Sequence, residues 1–201
     1  MGVPHGPRVD PQHEDDPRQL RRRRLGAGPD RPGCHARAAS RVLQEGEAVT
    51  TPEQRVEELG FTLPAPAKPA GSYLPVVRTG DLLYTSGQVP VIEGKLHQTG
   101  KLGVDLGVDE GKAQARICVL NALAALKAEL GELSRVRRIV KVVVFVASAP
   151  DFTEQPQVAN GASDLLAEVF GDQGKHARSA VGVASLPLDA PVEVELIAEV
   201  G

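Results

Sequence analysis

The sequence predicts an α+β fold in which helices pack on one face of a β-sheet. Three observations carry this. Segments of strand and helix character follow one another in the order strand, strand, helix, strand, helix, strand, strand. Hydrophobic residues make up 41% of the 201 residues but aromatics only 3%, so the core is built from Val, Leu, Ile and Ala. The stretch 142–147, VVVFVA, is apolar at both parities of a strand's pleat, so both of its faces are expected to be buried. Two helices cover one face only, and a second copy of the chain is the simplest cover for the other.

The elements follow in order. TPEQRVEELG (51–60) opens on Thr51 with Pro next and stops at Gly60, the pattern of a short capped helix. LPAPAKPAG (63–71) is too rich in Pro for a ladder and reads as an extended connector. SYLPVVRTGDLLYTSGQVP (72–90) holds two short strands around the turn signal Thr79-Gly80-Asp81. Residues 91–108 are Gly-rich and are expected to be irregular. KAQARICVLNALAALKAEL (112–130) is the clearest helix, with Ile117, Leu120, Leu123, Ala124, Leu126 and Leu130 on one face and Gly131 after it. VRRIVKVVVFVAS (136–148) is rich in β-branched residues and strand-like. ASDLLAEVFG (162–171) reads as a second helix. ARSAVGVASLP (177–187) and APVEVELIAEV (190–200) read as two strands.

The first 48 residues differ in kind. They hold nine Arg, no Lys, six Pro and six Gly, and none of the six Phe and Tyr residues. A segment so poor in large apolar side chains cannot offset its ordering entropy. Residues 1–50 are therefore set apart as a disordered, low-complexity extension, and 51–201 as the folded domain. The run Arg21–Arg24 reads as a solvated stretch, and no apolar run follows it as a secretory or twin-arginine signal requires.

Composition also bounds the function. The net charge is −3 and the pI near 6.0, against nucleic-acid binding by bulk charge. No stretch approaches the roughly 20 apolar residues of a membrane helix, so neither nucleic acid nor membrane is an expected partner. Two cysteines and five histidines without ligand spacing give no metal site, and no cofactor motif is present. GKLGVDLG (100–107) follows no strand and reads as a flexible loop rather than a phosphate cradle. Cys118, among Ile117, Val119 and Leu120, reads as a buried structural thiol. A cytoplasmic, metal-free globular protein is expected.

Two strands carry the candidate chemistry. Alternation places Arg178, Ala180, Gly182 and Ala184 on one face, so that a guanidinium stands beside a row of small side chains. That suits a small carboxylate, which Arg grips through two parallel hydrogen bonds. The same arginine also reads as one half of a strand-end ion pair, and the pattern leaves both readings open. In the last strand Val192, Val194, Leu196 and Ala198 point inward. Glu193, Glu195 and Glu199 point the other way, as a solvated face or with one of them orienting a water.

HARSAVGVASLPLDAPVEVELIAEV (176–200) and LYTSGQVPV (83–91) resemble the two signatures of the RidA/YjgF family, also labelled L-PSP endoribonuclease. IVKVVVFVASAPDFTEQPQVANG (139–161) resembles its central strand and the start of its second helix, and the likeness spans about 51–201. The resemblance implies a chorismate-mutase-like fold: a mixed sheet with two main helices on one face, assembled as a homotrimer whose sheets form a central barrel, with sites in the clefts between subunits. It implies hydrolysis of enamine and imine intermediates, such as 2-aminoacrylate and 2-imino acids, to 2-oxo acids and ammonia without metal or cofactor. Arg178 stands where the family binds the substrate carboxylate, and Glu193 where it positions water. Tyr73, Ser86, Gly87, Ala180 and Asn160 stand at its substrate-binding positions. Ala180 replaces a cysteine common in the family, and Asn160 is a looser match because the segment up to Phe170 is longer. Non-catalytic binding of a 2-oxo acid or amino acid, and RNA cleavage, are the alternative functions.

Overall fold

The computed structural model describes residues 50–66 and 71–201. The expected disorder of the N-terminal extension and the Arg21–Arg24 run lie outside them.

The described chain is an α+β fold whose five-stranded mixed sheet carries its two long helices on one face. Helix α1 (Pro52–Glu58) begins with a reciprocal cap: Thr51 Oγ1 accepts the Gln54 N–H at 3.2 Å, and Gln54 Oε1 accepts the Thr51 N–H at 2.9 Å. Strands β1 (Val76–Thr79) and β2 (Leu82–Thr85) form the expected hairpin, with Gly80 at φ 56 in the turn. Residues 91–108 are more ordered than their glycines suggest. They hold a small hairpin of β3 (Val91–Ile92) and β4 (Lys95–Leu96), turned by Glu93 and Gly94, both at positive φ. Asn121 Nδ2 ties this hairpin to the helix behind it by donating to the carbonyls of Val89 and Val91.

Helix α2 (Val108–Leu130) is followed by β5 (Val136–Ala147), α3 (Gln155–Phe170), β6 (Ala177–Val183) and β7 (Val192–Val200). The strand order is β1-β2-β7-β5-β6; β5 and β6 run parallel and the other neighbours antiparallel. Helix α3 starts seven residues before the expected Ala162, because the polar opening QPQVANG lacks the apolar spacing that marks a helix. Strand β6 stops at Val183, so Ala184 lies beyond the ladder.

The core lies between the sheet and the helix layer. Val142, Val144 and Val146 of β5 and Val192, Val194 and Leu196 of β7 are buried against α2 and α3. The opposite face is less covered than the doubly apolar sequence suggests: Val143 and Phe145 are only half-buried within one chain. Cys118 is fully buried, and burial, with Glu193 adding to it, pushes its thiol well above the ordinary range, as a structural cysteine requires.

The two helices meet closely where α3 has Gly161. A Cβ there would lie 2.1 Å from the carbonyl oxygen of Lys112 on α2. The obstacle is backbone and cannot rotate away. Gly161→Ala is expected to lower unfolding stability by about 2–3 kcal/mol in a denaturant titration, since separating packed helices costs more than Ala's helix propensity returns.

Candidate functional site

Arg178 sits on edge strand β6, level with Val142 on β5 and Leu196 on β7. Neighbouring residues in register share a face, so Arg178 projects toward the helix layer. There its Nη1 donates to Asn160 Oδ1 at 2.9 Å and to Ser163 Oγ at 3.0 Å, both on α3. Both acceptors are neutral. Among the described residues Arg178 has no ion pair, and its Nε and Nη2 are unpartnered yet not buried. The strand-end ion pair is therefore not what the structure shows. One edge of the guanidinium is fastened and the Nε–Nη2 edge is left open, the arrangement that accepts a carboxylate side-on.

The row of small residues beside it is partly filled. Ala180 packs against the core, and a Cβ on Gly182 would lie 2.8 Å from both Gln155 Nε2 and Ser148 Oγ. The smallness at 182 thus lets the start of α3 approach β6.

Glu193 lies on the other face. It is level with Phe145 on β5, and its neighbours Val192 and Val194 are the buried ones. The segment 86–88 runs beside it: Gln88 and Val194 exchange backbone hydrogen bonds of 2.8 and 2.9 Å. The glutamate side chain folds over Gly87, where a Cβ would stand 1.8 Å from Glu193 Oε1. Desolvation in this position, reinforced by Glu195, raises the Glu193 carboxyl above its ordinary range. No hydrogen bond reaches that carboxyl among the described residues. Ser86 donates its hydroxyl to the Leu74 carbonyl at 2.7 Å and its N–H to the Pro75 carbonyl at 2.8 Å, pinning the segment that follows Tyr73. The Tyr73 side chain is exposed.

The candidate residues thus form two half-sites. Arg178, Ala180 and Asn160 stand on the helix side of β6. Glu193, Gly87 and Ser86 stand on the opposite side of the sheet, with Tyr73 joined to them through the 74–75 backbone. Arg178 and Glu193 are two strands apart and three positions out of step along β5. That is about 10 Å in each direction, with side chains pointing apart.

The family described as "YjgF/chorismate_mutase-like, putative endoribonuclease" matches residues 53–200, across both half-sites. The chain belongs to the RidA/YjgF family. It is 51% identical over 145 residues to the Trypanosoma cruzi protein TCP17, covering 72% of this chain and 91% of that protein. Among solved structures it is similar to Atu1372 of Agrobacterium tumefaciens, described as of unknown function, with 48% identity and a TM-score of 0.70 over 75% of this chain and 92% of that one. It is also similar to E. coli TdcF, solved with bound serine, at 27% identity and a TM-score of 0.51 over 70% of this chain and 96% of that one.

Asn160, the looser match in sequence because the segment up to Phe170 is longer, lies beside Arg178 and accepts from its Nη1. Ser163, the second acceptor, was not among the residues expected from sequence. It lies one turn beyond Asn160 on the same helix, so helical spacing from Asn160 was the signal that could have found it.

Proposed function

We propose that this RidA/YjgF protein hydrolyses enamine and imine intermediates of 2-amino acids, such as 2-aminoacrylate and 2-imino acids, to 2-oxo acids and ammonia. The observation that carries the reading is the open Nε–Nη2 edge of Arg178, whose other edge is fastened to neutral oxygens rather than to an acid. Such an arginine is matched to a small carboxylate. Holding that carboxylate in a plane fixes where the C=N carbon lies, and positioning of this kind lowers a barrier by several kcal/mol. Glu193 is the second participant. Its carboxyl carries no hydrogen bond among the described residues and is set against Gly87, so it can accept a proton from water and aim the oxygen at that carbon. Water adds across C=N, the carbinolamine loses ammonia, and the 2-oxo acid leaves. An imine already hydrolyses in water, so orientation suffices.

The half-sites face away from each other within one chain, which supports a site completed by a second copy. The assembly we propose is a homotrimer whose sheets form a central barrel. It would cover the half-buried Val143 and Phe145, and each cleft would take Arg178 from one copy and Glu193 from the next. Light scattering of the full chain is expected to give the trimer mass, also after deletion of residues 1–48; a monomer mass would contradict the assembly. Mixing tests the cleft itself. Arg178→Ala and Glu193→Ala are each expected to be inactive, yet denatured together and refolded at equal ratio they should regain about a quarter of wild-type activity, because random trimers restore that share of clefts. No recovery would place both residues in one chain's site and sink the shared cleft.

Carboxylate binding without turnover is the second reading, favoured by the serine bound to TdcF. RNA cleavage has less support, since the face bearing Glu193 also bears Glu195 and Glu199 and repels phosphate. Among the described residues no helix is long and apolar enough to cross a membrane. We place the reaction in the cytoplasm, on freely diffusing intermediates.

A further inference from the structure

Behind Arg178 stand Ser163, which lies outside the family-like segments, and His176, which opens the 176–200 segment without an expected role. His176 Nδ1 lies 2.6 Å from the carbonyl oxygen of Gly174. A carbonyl only accepts, so Nδ1 carries the ring proton. Nε2 of the neutral ring is then an acceptor, and it lies 3.0 Å from Ser163 Oγ. The Ser163 hydroxyl therefore donates to His176 and turns its lone pairs to Arg178 Nη1, 3.0 Å away. The direction of each bond follows from the one before it: Arg178 donates to Ser163, Ser163 to His176, and His176 to Gly174. The far end is fixed too. Gly174 is buried against α3, where a Cβ would stand 2.1 Å from the Leu166 carbonyl oxygen.

We infer that Ser163 and His176 are positioning residues that hold the guanidinium plane of Arg178 so that its Nε–Nη2 edge faces the substrate carboxylate. Asn160 alone leaves Nη1 one acceptor and the plane free to tilt about it. The serine supplies the second acceptor, and the histidine keeps the serine's proton away from the arginine. This rests on the reading of Arg178 as a carboxylate anchor.

The test uses full-length Ser163→Ala and His176→Phe, with Ser163→Thr and His176→Gln as variants that keep the hydrogen-bonding groups. Three readouts are taken: imine-hydrolysis kinetics, calorimetric binding of 2-oxobutanoate, and NMR of the rate of rotation about the Arg178 Nε–Cζ bond. Ser163→Ala and His176→Phe are expected to raise KM and weaken 2-oxobutanoate binding about tenfold and to lower kcat as well, because a tilted guanidinium plane both loosens the carboxylate and turns the C=N carbon away from the water. Rotation should speed up, and the conservative variants should stay close to wild type. Unchanged KM, 2-oxobutanoate affinity and rotation in Ser163→Ala and His176→Phe would overturn the inference, even if their melting temperature fell. A wild type that neither hydrolyses imines nor binds 2-oxobutanoate would instead sink the anchor reading. Rotation would still be compared in that case, and equal rates would overturn the positioning role as well.

Discussion

Arg178→Lys is expected to lose at least tenfold in imine hydrolysis, roughly 1.4 kcal/mol of transition-state stabilisation, and Arg178→Ala to lose more. Lysine keeps the charge and can still reach Asn160 or Ser163, but it has no second, planar edge to present. A point charge leaves the carboxylate free to turn about it, so the C=N carbon no longer faces the water. The fold should tolerate the change, because Arg178 is half-buried on an edge strand and no acid loses its partner. Kinetics and melting temperature on one preparation separate the two readings the sequence left open. A functional anchor loses activity with little change in melting, whereas a structural clamp melts earlier with activity untouched.

Glu193→Gln is expected to lower kcat by at least about tenfold while 2-oxobutanoate binding stays near wild type, since an amide still hydrogen-bonds but does not take the water's proton. Its effect on stability has the opposite sign. The folded protein raises the Glu193 carboxyl above the ordinary 4.5, so the fold favours the protonated form. That contribution is complete below the unfolded value and is lost as pH rises through the folded one. At neutral pH the wild type therefore holds an unfavourably desolvated carboxylate, and the neutral glutamine should melt at the same temperature or higher. The advantage should disappear as pH falls below about 4.5, where both side chains are neutral. For the same reason the acid limb of kcat should lie above the ordinary glutamate range and vanish in Glu193→Gln. A lower melting point for Glu193→Gln at neutral pH would contradict the desolvation account.

The parts of this architecture that were legible beforehand are those with a strong period. The Leu and Ala spacing of 112–130, the β-branched run of 136–147 and the alternation of 192–200 each state an element and its buried face in local sequence. The start of α3 was not legible, because Gln155–Gly161 is polar and its glycine answers to the Lys112 backbone across the helix pair, a contact between residues some fifty positions apart. The β3–β4 hairpin was hidden for a similar reason. Its strands are two residues long and are held by Asn121 from α2 rather than by their own propensity. At the site, residue types and order pointed to Arg178 and Glu193, but the faces they occupy relative to each other depend on strand order. Only once β5 is known to lie between β6 and β7 does their separation follow. Of the guanidinium's partners Asn160 is named from sequence, whereas Ser163 lies outside the family-like segments, and His176, though it opens one of them, is linked to the guanidinium only through Ser163 by the packing of α3 on β6.

Coupled turnover tests the central claim most directly. A threonine or serine dehydratase releases its 2-imino acid in the presence of this protein, and 2-oxo acid is followed while semicarbazide competes for the imine. Hydrolysis at the Arg178 cleft predicts that wild-type protein shields the oxo-acid yield from semicarbazide in proportion to its concentration, and that Arg178→Ala does not. An unshielded yield in the presence of well-folded wild-type protein that binds 2-oxobutanoate would contradict the hydrolase and leave a carboxylate-binding protein in its place.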